Sequence, residues 1–254
     1  MAAGGKGEIV LNGTVAPGRS FEIEGERLEN LMLWSPRPGE AVTVSDREGR
    51  LFRARITALT GEGSTLYVFE DTGFTRANEV RITLLQALPD RERMELVIQK
   101  TTELGADCIV PFKSERSISL EERESRQKKA HRWGSVALKA AKQSRRATLP
   151  ELLPYRSFAD ALSTAAESEL RLMLVEGAGR RALKDVLHES RARSVALLVG
   201  PEGGFTADEV EEASKAGFIP VTLGQRILRT ETASIVGVGI VAYELGAKVF
   251  MVPC

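Results

Sequence analysis

From about Pro89 onwards, the sequence alternates short apolar runs with segments of helical periodicity. The apolar runs are DCIVPF, RLMLVE, VALLVG and IPVTLG. Strands that alternate with helices in this way pair in parallel, because each helix carries the chain back to the same edge of the sheet. The pattern therefore predicts an α/β fold, with a parallel sheet that helices cover on both faces.

Helical periodicity marks the segments between and after these strands. Met94, Val97 and Ile98 lie at helical spacing after Asp90, a residue type that favours helix N-caps. The other predicted helices cover about 121–146, 181–190, 207–216 and 232–247. The last of these helices is apolar and contains glycines, which predicts a place in the core or in a subunit interface.

Residues up to about Leu88 follow a period of two instead. The segments with this pattern are EIVLNG, SFEIEG, AVTVSD, LFRARITAL, STLYVFED and EVRITLLQAL. Short strands that recur about every ten residues are typical of a small antiparallel barrel or sandwich. We therefore predict two domains, an all-β domain over 1–86 and an α/β domain over 87–254.

Charge is balanced over the chain but unevenly distributed along it. Lys plus Arg and Asp plus Glu both number 35, so the overall charge of a typical nucleic-acid binder is missing. No acid occurs between Glu124 and Glu151, where basic residues crowd the predicted helix. This cationic helix fits phosphate neutralisation and a plain solvated face equally well.

The remaining composition excludes several classes of protein. Cys108 and Cys254 lie far apart without metal-ligand spacing, which predicts neither a disulfide framework nor a metal site. No apolar run approaches the roughly 20 residues of a membrane span, and the start MAAGGKGEIV lacks the pattern of a signal peptide. We therefore expect a cytoplasmic protein that binds no membrane and no metal.

A glycine-rich loop, GPEGG at 200–204, follows the predicted strand VALLVG. Thr206, with Glu209 three residues later, predicts a helix start with a capping box. Glycines let the backbone approach a ligand, and open parallel sheets bind ligands at the carboxyl ends of their strands. The spacing matches neither the dinucleotide nor the NTP-phosphate fingerprint. A binding loop and a simple strand-to-helix turn both fit the pattern.

A second polar loop, LGQRILRTETA at 223–233, follows the strand IPVTLG. It brings Arg226, Arg229 and Glu231 together with threonines, and such groups are costly to bury without partners. A plain interpretation makes Thr230 or Thr232 an N-cap and leaves the arginines in solvent. Two polar loops after neighbouring strands favour a binding site.

These two loops, together with QKTTELGADCIVPFKSERS and KQSRRATLPELL, resemble the ribosomal RNA small subunit methyltransferase E family. The resemblance covers nearly all of the second domain. It implies a catalytic domain of the SPOUT class with a deep C-terminal trefoil knot, preceded by a small PUA-like β-barrel for RNA recognition. It also implies a homodimer that uses S-adenosylmethionine to methylate N3 of a uridine in 16S rRNA of the small ribosomal subunit.

The resemblance also implies roles for individual residues. The implied cofactor contacts are Leu174, Glu176, Gly200, Glu202, Gly203, Gly204, Leu223, Gly224, Ile227, Leu228, Thr230 and Ala233. The imide proton of uridine N3 must leave before or during attack. We therefore expect Arg226 or Arg229 to stabilise charge on the uridine oxygens, and Glu231 to orient Arg229 or to accept the proton.

The RNA-binding candidates come from the basic helix and from the first domain. They are Arg37, Arg132, Lys139, Gln143, Arg145 and Arg146. The sequence departs from the family pattern at Ser35, where an arginine is usual, and at Lys142, where an acid is usual. Arg37 is the expected substitute for the missing arginine.

Other functions stay open on residue chemistry alone. The same catalytic class supports methylation of the ribose 2′-hydroxyl and of guanine N1, so the target atom rests on the resemblance. A non-catalytic RNA-binding assembly factor is another alternative, and it would bind RNA without binding S-adenosylmethionine.

Overall fold

The computed structural model describes residues 6–76, 80–89, 93–118, 122, 130–177 and 180–249. The chain divides into two compact units. The antiparallel-sheet unit contains 5–79 and 138–149, and the parallel-sheet unit contains 80–137 and 150–254. The first unit therefore takes a second segment from the middle of the chain, which the sequence did not predict.

The described residues of the antiparallel-sheet unit form a four-stranded sheet in the order β1-β4-β3-β2. The strands are β1 (Ser20–Ile23), β2 (Ala41–Ser45), β3 (Arg50–Leu59) and β4 (Ser64–Thr75). Phe52, Ala54 and Ile56, alternate residues of β3, are at most 2% exposed. Leu28 and Leu31 of helix α1 (Glu26–Met32) join the same apolar cluster. One face of the sheet, with α1 on that side, therefore encloses the core.

The 138–149 segment completes this core. Ala141 is fully buried in it, and Leu138 and Leu149 pack against it. The backbones of Lys6 and Leu149 exchange two hydrogen bonds of 2.8 Å each. The core of this unit thus needs residues that follow β4 by more than sixty positions.

Two predictions for this unit were wrong in detail. EIVLNG forms no strand, although Ile9 and Leu11 are fully buried and Val10 makes an isolated bridge to Ser45. Burial of alternate side chains produced the period of two without regular strand pairing. Helix α1 was not predicted, because its seven residues are too few for a clear helical period.

In its described part, the parallel-sheet unit has seven strands in the order β7-β6-β5-β10-β8-β11-β9. All adjacent pairs are parallel. The strands are β5 (Arg81–Ala87), β6 (Ala106–Phe112), β7 (Glu151–Leu152), β8 (Leu170–Leu174), β9 (Arg181–Ala182), β10 (Ser194–Val199) and β11 (Ile219–Thr222). The predicted parallel sheet is confirmed.

Helices cover this sheet on both faces. They are α2 (Arg93–Glu103), α4 (Phe158–Thr164), α5 (Leu183–Glu189), α6 (Ala207–Lys215), α7 (Thr230–Val249) and the start of α3 (Trp133–Gln143). From Leu138 onwards, α3 belongs to the antiparallel-sheet unit. Val195 and Leu197 of β10 enter one apolar cluster, whereas Ala196 and Leu198 enter another. The central strand is therefore buried on both sides, which explains its continuous apolar sequence.

The predicted boundary between residues 86 and 87 was misplaced. Strand β5 pairs with β6 and β10 in the parallel sheet, so the second unit begins at Val80. The alternation in EVRITLLQAL indicates a strand but does not indicate which sheet the strand joins. That choice depends on tertiary pairing.

The predicted helices agree with the described ones except in a few places. Met94, Val97 and Ile98 are fully buried on α2, as their spacing predicted, whereas the predicted cap Asp90 lies outside the described residues. Of the helix predicted over 121–146, a short 3₁₀ turn and α3 are described, and 123–129 are not. Helix α4, with its N-cap Ser157, was not predicted.

Helix α3 ends in a Schellman turn. Arg146 N donates to Ala141 O at 3.0 Å, and Arg145 N donates to Lys142 O at 3.2 Å. Arg145 has a φ of 57°, a left-handed conformation that glycine adopts more easily. A residue with a side chain costs roughly 1–2 kcal/mol there. Thr43 Oγ1 donates to Arg145 O at 2.8 Å and helps to hold the turn.

Candidate functional site

A cavity of about 450 Å³ opens at the carboxyl ends of β10, β8 and β11, three neighbouring strands of the parallel sheet. The loops after these strands form its walls. Its lining includes all the predicted cofactor contacts: Leu174, Glu176, Gly200, Glu202, Gly203, Gly204, Leu223, Gly224, Ile227, Leu228, Thr230 and Ala233. The structure thus brings together residues that are up to sixty positions apart in the chain.

The first wall is the glycine-rich loop after β10. The added Cβ of a side chain at Gly200 would lie 3.0 Å from the ring of Phe205, so a side chain there would require the ring to shift. Thr206 caps α6 through the predicted capping box, in which Thr206 N donates to Glu209 Oε2 at 2.9 Å. This cap fixes the point at which the loop ends and the helix begins.

The opposite wall is the loop after β11. Gly224 has a φ of 130°, which excludes most other residues. Thr222 Oγ1 donates to Gly224 O at 3.0 Å and closes the turn. Beyond it, Arg226 and Arg229 are exposed and line the cavity, and Ile227 is 80% exposed. Both arginines are thus accessible to solvent and face a space that a ligand can enter.

The third wall follows β8. Leu174 is buried beneath the cavity, whereas Glu176 is exposed beside it. Val175 N donates to Val221 O at 2.9 Å, which joins this wall to β11. The three walls therefore rest on adjacent, hydrogen-bonded strands.

A buried polar network connects two of these walls. Thr230 Oγ1 donates to Gly200 O at 2.6 Å and accepts from Gln86 Nε2 at 3.0 Å. Ser234 Oγ donates to Gln86 Oε1 and lies 3.0 Å from a second acceptor, Thr230 O. Gln86 and Ser234 are fully buried, and Thr230 is 4% exposed. The network ties the start of α7 to the first residue of the glycine-rich loop.

Two arginines that the sequence did not single out also contact the glycine-rich loop. Arg116 lines the cavity, and its Nη1 donates to Gly203 O at 2.8 Å. Arg93 Nη1 lies 3.3 Å from Glu202 Oε1 and 3.4 Å from Glu231 Oε2. Arg116 stands within the quoted segment FKSERS, and Gln86 is a polar residue in an apolar strand, so both carried a signal in the sequence.

Glu231 occupies a different place from the two arginines with which it was grouped. Its side chain is largely buried at the start of α7 and pairs with Arg93, and the residue does not line the cavity. The backbone of Arg229 is held at the start of α7, where its carbonyl oxygen accepts a hydrogen bond from Ala233 N at 2.8 Å. The structure therefore brings Arg226 and Arg229 to the cavity and leaves Glu231 beside it.

The RNA-binding candidates are divided between the two units. Arg132 belongs to the parallel-sheet unit, and Arg37, Lys139, Gln143, Arg145 and Arg146 belong to the antiparallel-sheet unit. Lys142 Nζ donates to Ser35 O at 3.2 Å and lies 3.0 Å from Glu40 Oε2. The two positions that depart from the family pattern are therefore in contact. Arg37 N also donates to Glu40 Oε2, at 3.2 Å, so the Glu40 carboxylate contacts both Lys142 and the backbone of Arg37.

Over the part of the chain that the structure describes, no group of three or more His, Cys, Asp or Glu side chains is arranged to hold a metal ion. Within the same residues, no helix combines the length and apolarity needed to span a membrane.

The sequence model of one protein family, the RNA methyltransferase domain, matches residues 76–242 of this chain. The match covers well over half of the chain, and it includes every residue that lines the cavity. The chain therefore belongs to the RNA methyltransferase domain family.

Individual relatives show which family of RNA methyltransferases the chain belongs to. Ribosomal RNA small subunit methyltransferase E from Mycobacterium bovis is 33% identical over 216 residues, which cover 81% of this chain and 79% of the relative. The Bacillus subtilis protein of the same name is 27% identical over 89% of this chain and 90% of its own length. The chain is a member of the ribosomal RNA small subunit methyltransferase E family.

Solved structures show the same relationship in three dimensions. The Neisseria gonorrhoeae ribosomal RNA small subunit methyltransferase E bound to S-adenosyl methionine has a TM-score of 0.62 and 32% identity, over 92% of this chain and 95% of that one. A Legionella pneumophila methyltransferase in complex with the same cofactor has a TM-score of 0.61 and 31% identity, over 93% of this chain and 96% of its own.

Proposed function

We propose that the cavity binds S-adenosylmethionine and that the protein methylates N3 of a uridine in 16S rRNA of the small ribosomal subunit. The observation that carries the proposal is that two glycine-containing loops and the end of β8 form one cavity at the carboxyl edge of the sheet. The family relationship and the cofactor bound to two structural relatives support it. The rRNA substrate and the composition both favour the cytoplasm as the site of action.

The lining suits this cofactor chemically. Leu174, Leu223 and Leu228 give apolar surface for a flat adenine ring, and the glycine-rich loop offers bare backbone groups for its polar edge. Glu176 and Glu202 add carboxylates to the same lining, where they would face the positive groups of the ligand. The bound cofactor would supply an activated methyl group on a positively charged sulfur.

The chain itself must then prepare the uridine. Deprotonation of the N3 imide leaves negative charge on the neighbouring O2 and O4 atoms. Arg226 and Arg229 are the exposed cations of the cavity wall, and we assign to them the stabilisation of that charge. Glu231 stays a predicted proton acceptor or partner of Arg229. To accept the proton, the Glu231 carboxylate would have to act while it is ion-paired with Arg93.

Because N3 takes part in base pairing, the target uridine must be unpaired or flipped out of a helix. We propose that the antiparallel-sheet unit supplies RNA recognition as the PUA-like barrel of the family. We also propose that the C-terminal part of the parallel-sheet unit forms the trefoil knot of the SPOUT class. Both features rest on the resemblance.

A homodimer completes the proposal. Leu96 of α2, Leu104 directly after α2, and Val236 and Tyr243 of α7 are between 37% and 74% exposed. These two helices pack against each other in the parallel-sheet unit, so the exposed apolar residues are carried by adjacent elements. Exposed apolar surface of this kind is typical of subunit interfaces.

The deciding experiment is nucleoside mass spectrometry. Small ribosomal subunits that lack the modification would be incubated with the protein and S-adenosylmethionine, and the 16S rRNA would then be digested. We expect 3-methyluridine. Another methylated nucleoside would overturn the target atom, and cofactor-free RNA binding without any product would favour a non-catalytic assembly factor.

Arg229→Ala tests the catalytic assignment. We expect it to lower kcat by about 100-fold, in the range found for loss of one oxyanion-stabilising group, and to leave cofactor affinity nearly unchanged. Arg191→Ala is the matched control, because Arg191 is exposed and precedes β10, at the opposite edge of the sheet. Equal kcat values for both variants would show that the Arg229 side chain has no catalytic role.

A further inference from the structure

The outer face of the antiparallel sheet carries aromatic and cationic side chains side by side. Phe52, Ala54 and Ile56 point into the core, so their neighbours Arg53 and Arg55 point outwards. On β4, Leu66 and Val68 are fully buried, whereas Tyr67 and Phe69 are 39% and 38% exposed. Arg55 is the direct partner of Tyr67 across the two strands.

A β-bulge lies within this face. The pairing shifts between Ala54↔Val68 and Arg53↔Glu70, which leaves Phe69 as the extra residue of β4. Arg55 Cζ lies 5.6 Å from the centre of the Phe69 ring, within reach of a cation–π interaction. The ring, the tyrosine and the guanidinium together form a stacking surface.

Positive charge collects at one side of this surface. Arg53 Nη1 donates to Thr43 Oγ1 at 2.7 Å, and that hydroxyl in turn donates to Arg145 O. Burial and the charge of Arg145 lower the pKa of Arg53, and Glu70 raises it. Glu70 is thus the carboxylate that acts on Arg53 against the charge of Arg145, and Glu22 lies on the far strand β1. An additional anion would stabilise this arrangement.

The Schellman turn adds an independent observation. Arg145 stands in a left-handed conformation that glycine would adopt without strain. Its side chain is exposed, so it contributes nothing to the core that would offset the strain. Strained backbone positions cluster at functional sites, so the exposed Arg145 is a candidate for a binding role.

We propose that Tyr67, Phe69 and Arg55 form a platform on which unpaired RNA bases stack, and that Arg53 and Arg145 bind the adjoining phosphates. The proposal rests on the proposed RNA substrate and names the surface that holds it. Flat aromatic rings next to cations suit single-stranded RNA, because every base has a stacking face and every nucleotide has a phosphate. A duplex keeps its bases stacked internally and gains only the phosphate contacts.

The test uses the full chain and a fluorescein-labelled single-stranded oligouridine of about ten nucleotides, a length within the usual site size. Fluorescence anisotropy would give its Kd and that of a duplex of equal length. We expect tighter binding of the single strand, and about tenfold weaker binding for Phe69→Ala and for Tyr67→Ala. Phe69→Leu keeps the apolar bulk but lacks the flat ring, so we expect the same loss with an unchanged Tm.

Arg145→Gly separates binding from folding. Glycine relieves the left-handed strain, so we expect the Tm to rise by about 2–4 °C. The same variant should bind oligouridine more weakly, and its slope of log K against log salt should fall by about 0.7, the value for one lost phosphate contact. A purely structural role for Arg145 predicts the higher Tm with unchanged RNA affinity.

Two control variants lie on the other side of the core, on α1. Met32→Ala removes an apolar side chain that is 52% exposed, and Arg27→Gln removes one charge. One outcome would overturn this inference and leave the proposed function standing. In that outcome the wild-type protein methylates rRNA, and the Tyr67, Phe69 and Arg145 variants bind RNA as tightly as the two controls. Equal affinity of the wild type for single strand and duplex would also overturn it. Wild-type protein without RNA binding or methylation would overturn the proposed function itself.

Discussion

The buried carboxamide of Gln86 makes three hydrogen bonds beneath the loops of the cavity. Its Nε2 donates to Thr230 Oγ1 and to Ala87 O, and its Oε1 accepts from Ser234 Oγ. A buried amide with every partner present is favourable, whereas the same amide with one partner removed carries a desolvation cost. The position of Gly200 therefore depends on Gln86 through one hydroxyl group.

Replacing that hydroxyl tests this dependence. Thr230→Val removes the hydroxyl that donates to Gly200 O and leaves Gln86 Nε2 with Ala87 O alone, so we expect a loss of about 1–3 kcal/mol in the free energy of unfolding. We also expect weaker binding of S-adenosylmethionine, because the glycine-rich loop loses its anchor. Urea unfolding and titration calorimetry would measure the two effects.

Thr230→Ser is the matched control, since serine keeps the hydroxyl and loses only a methyl group. It should bind the cofactor nearly as well as the wild type. If Thr230→Val also retained full affinity, the network would stabilise the fold without setting the shape of the cavity.

Helix α7 shows how one element can serve both the core and the site. Its first turn contains Thr230 and Glu231, and its apolar middle packs against β5 and β10. Gly237 allows this packing, because a Cβ there would lie 2.8 Å from Leu197 Cδ2 and 3.1 Å from Leu174 Cδ1. Leu174 lines the cavity, so the glycine also protects the shape of the cavity floor.

A pair of glycine substitutions in α7 separates close packing from helix propensity. Gly237→Ala should lower the free energy of unfolding by about 1–3 kcal/mol, because the added methyl group overlaps two buried leucines. Gly246→Ala meets no neighbouring atom within 4 Å, so it should raise that free energy by up to about 1 kcal/mol through helix propensity. Thermal unfolding of both variants decides the matter, and a stabilising Gly237→Ala would contradict the packing described for this helix.

At the scale of the whole molecule, zero net charge conceals a strong local asymmetry. Equal numbers of cations and anions would give an RNA-binding protein little general attraction to RNA. In our proposal, the basic 126–146 segment and the pair Arg53 and Arg145 supply this attraction locally. The proposed dimer would double the number of such surfaces.

The dimer is tested most directly on α7. Tyr243→Lys places a charge at a side chain that is 74% exposed, so it should leave the monomer folded and break an apolar interface. We expect light scattering after size-exclusion chromatography to change from the dimer mass to the monomer mass. Met32→Lys, an equivalent change on α1, should remain dimeric. A Tyr243→Lys protein that stays dimeric would place the interface elsewhere.

The sequence predicted the loops of the cavity because their chemistry is local. Glycines and polar residues directly after apolar strands mark both walls, and parallel pairing brings such ends to one edge. Gln86, Arg93 and Arg116 were missed as site residues because their roles arise from partners more than 85 positions away. The membership of β5 and the return of 138–149 to the first unit likewise depend on tertiary pairing, which no local pattern encodes.

The return of 138–149 has a consequence for the order of events during synthesis. Domains usually fold as they emerge, from the N-terminus onwards. Here the N-terminal unit lacks Ala141, Leu138 and Leu149 until the chain has been made as far as Leu149. By then β5 and β6 of the other unit have already been translated. The nascent chain must therefore hold an unfinished first unit while the second begins to form, and an excised fragment ending before Leu138 would expose the apolar surface that these residues cover.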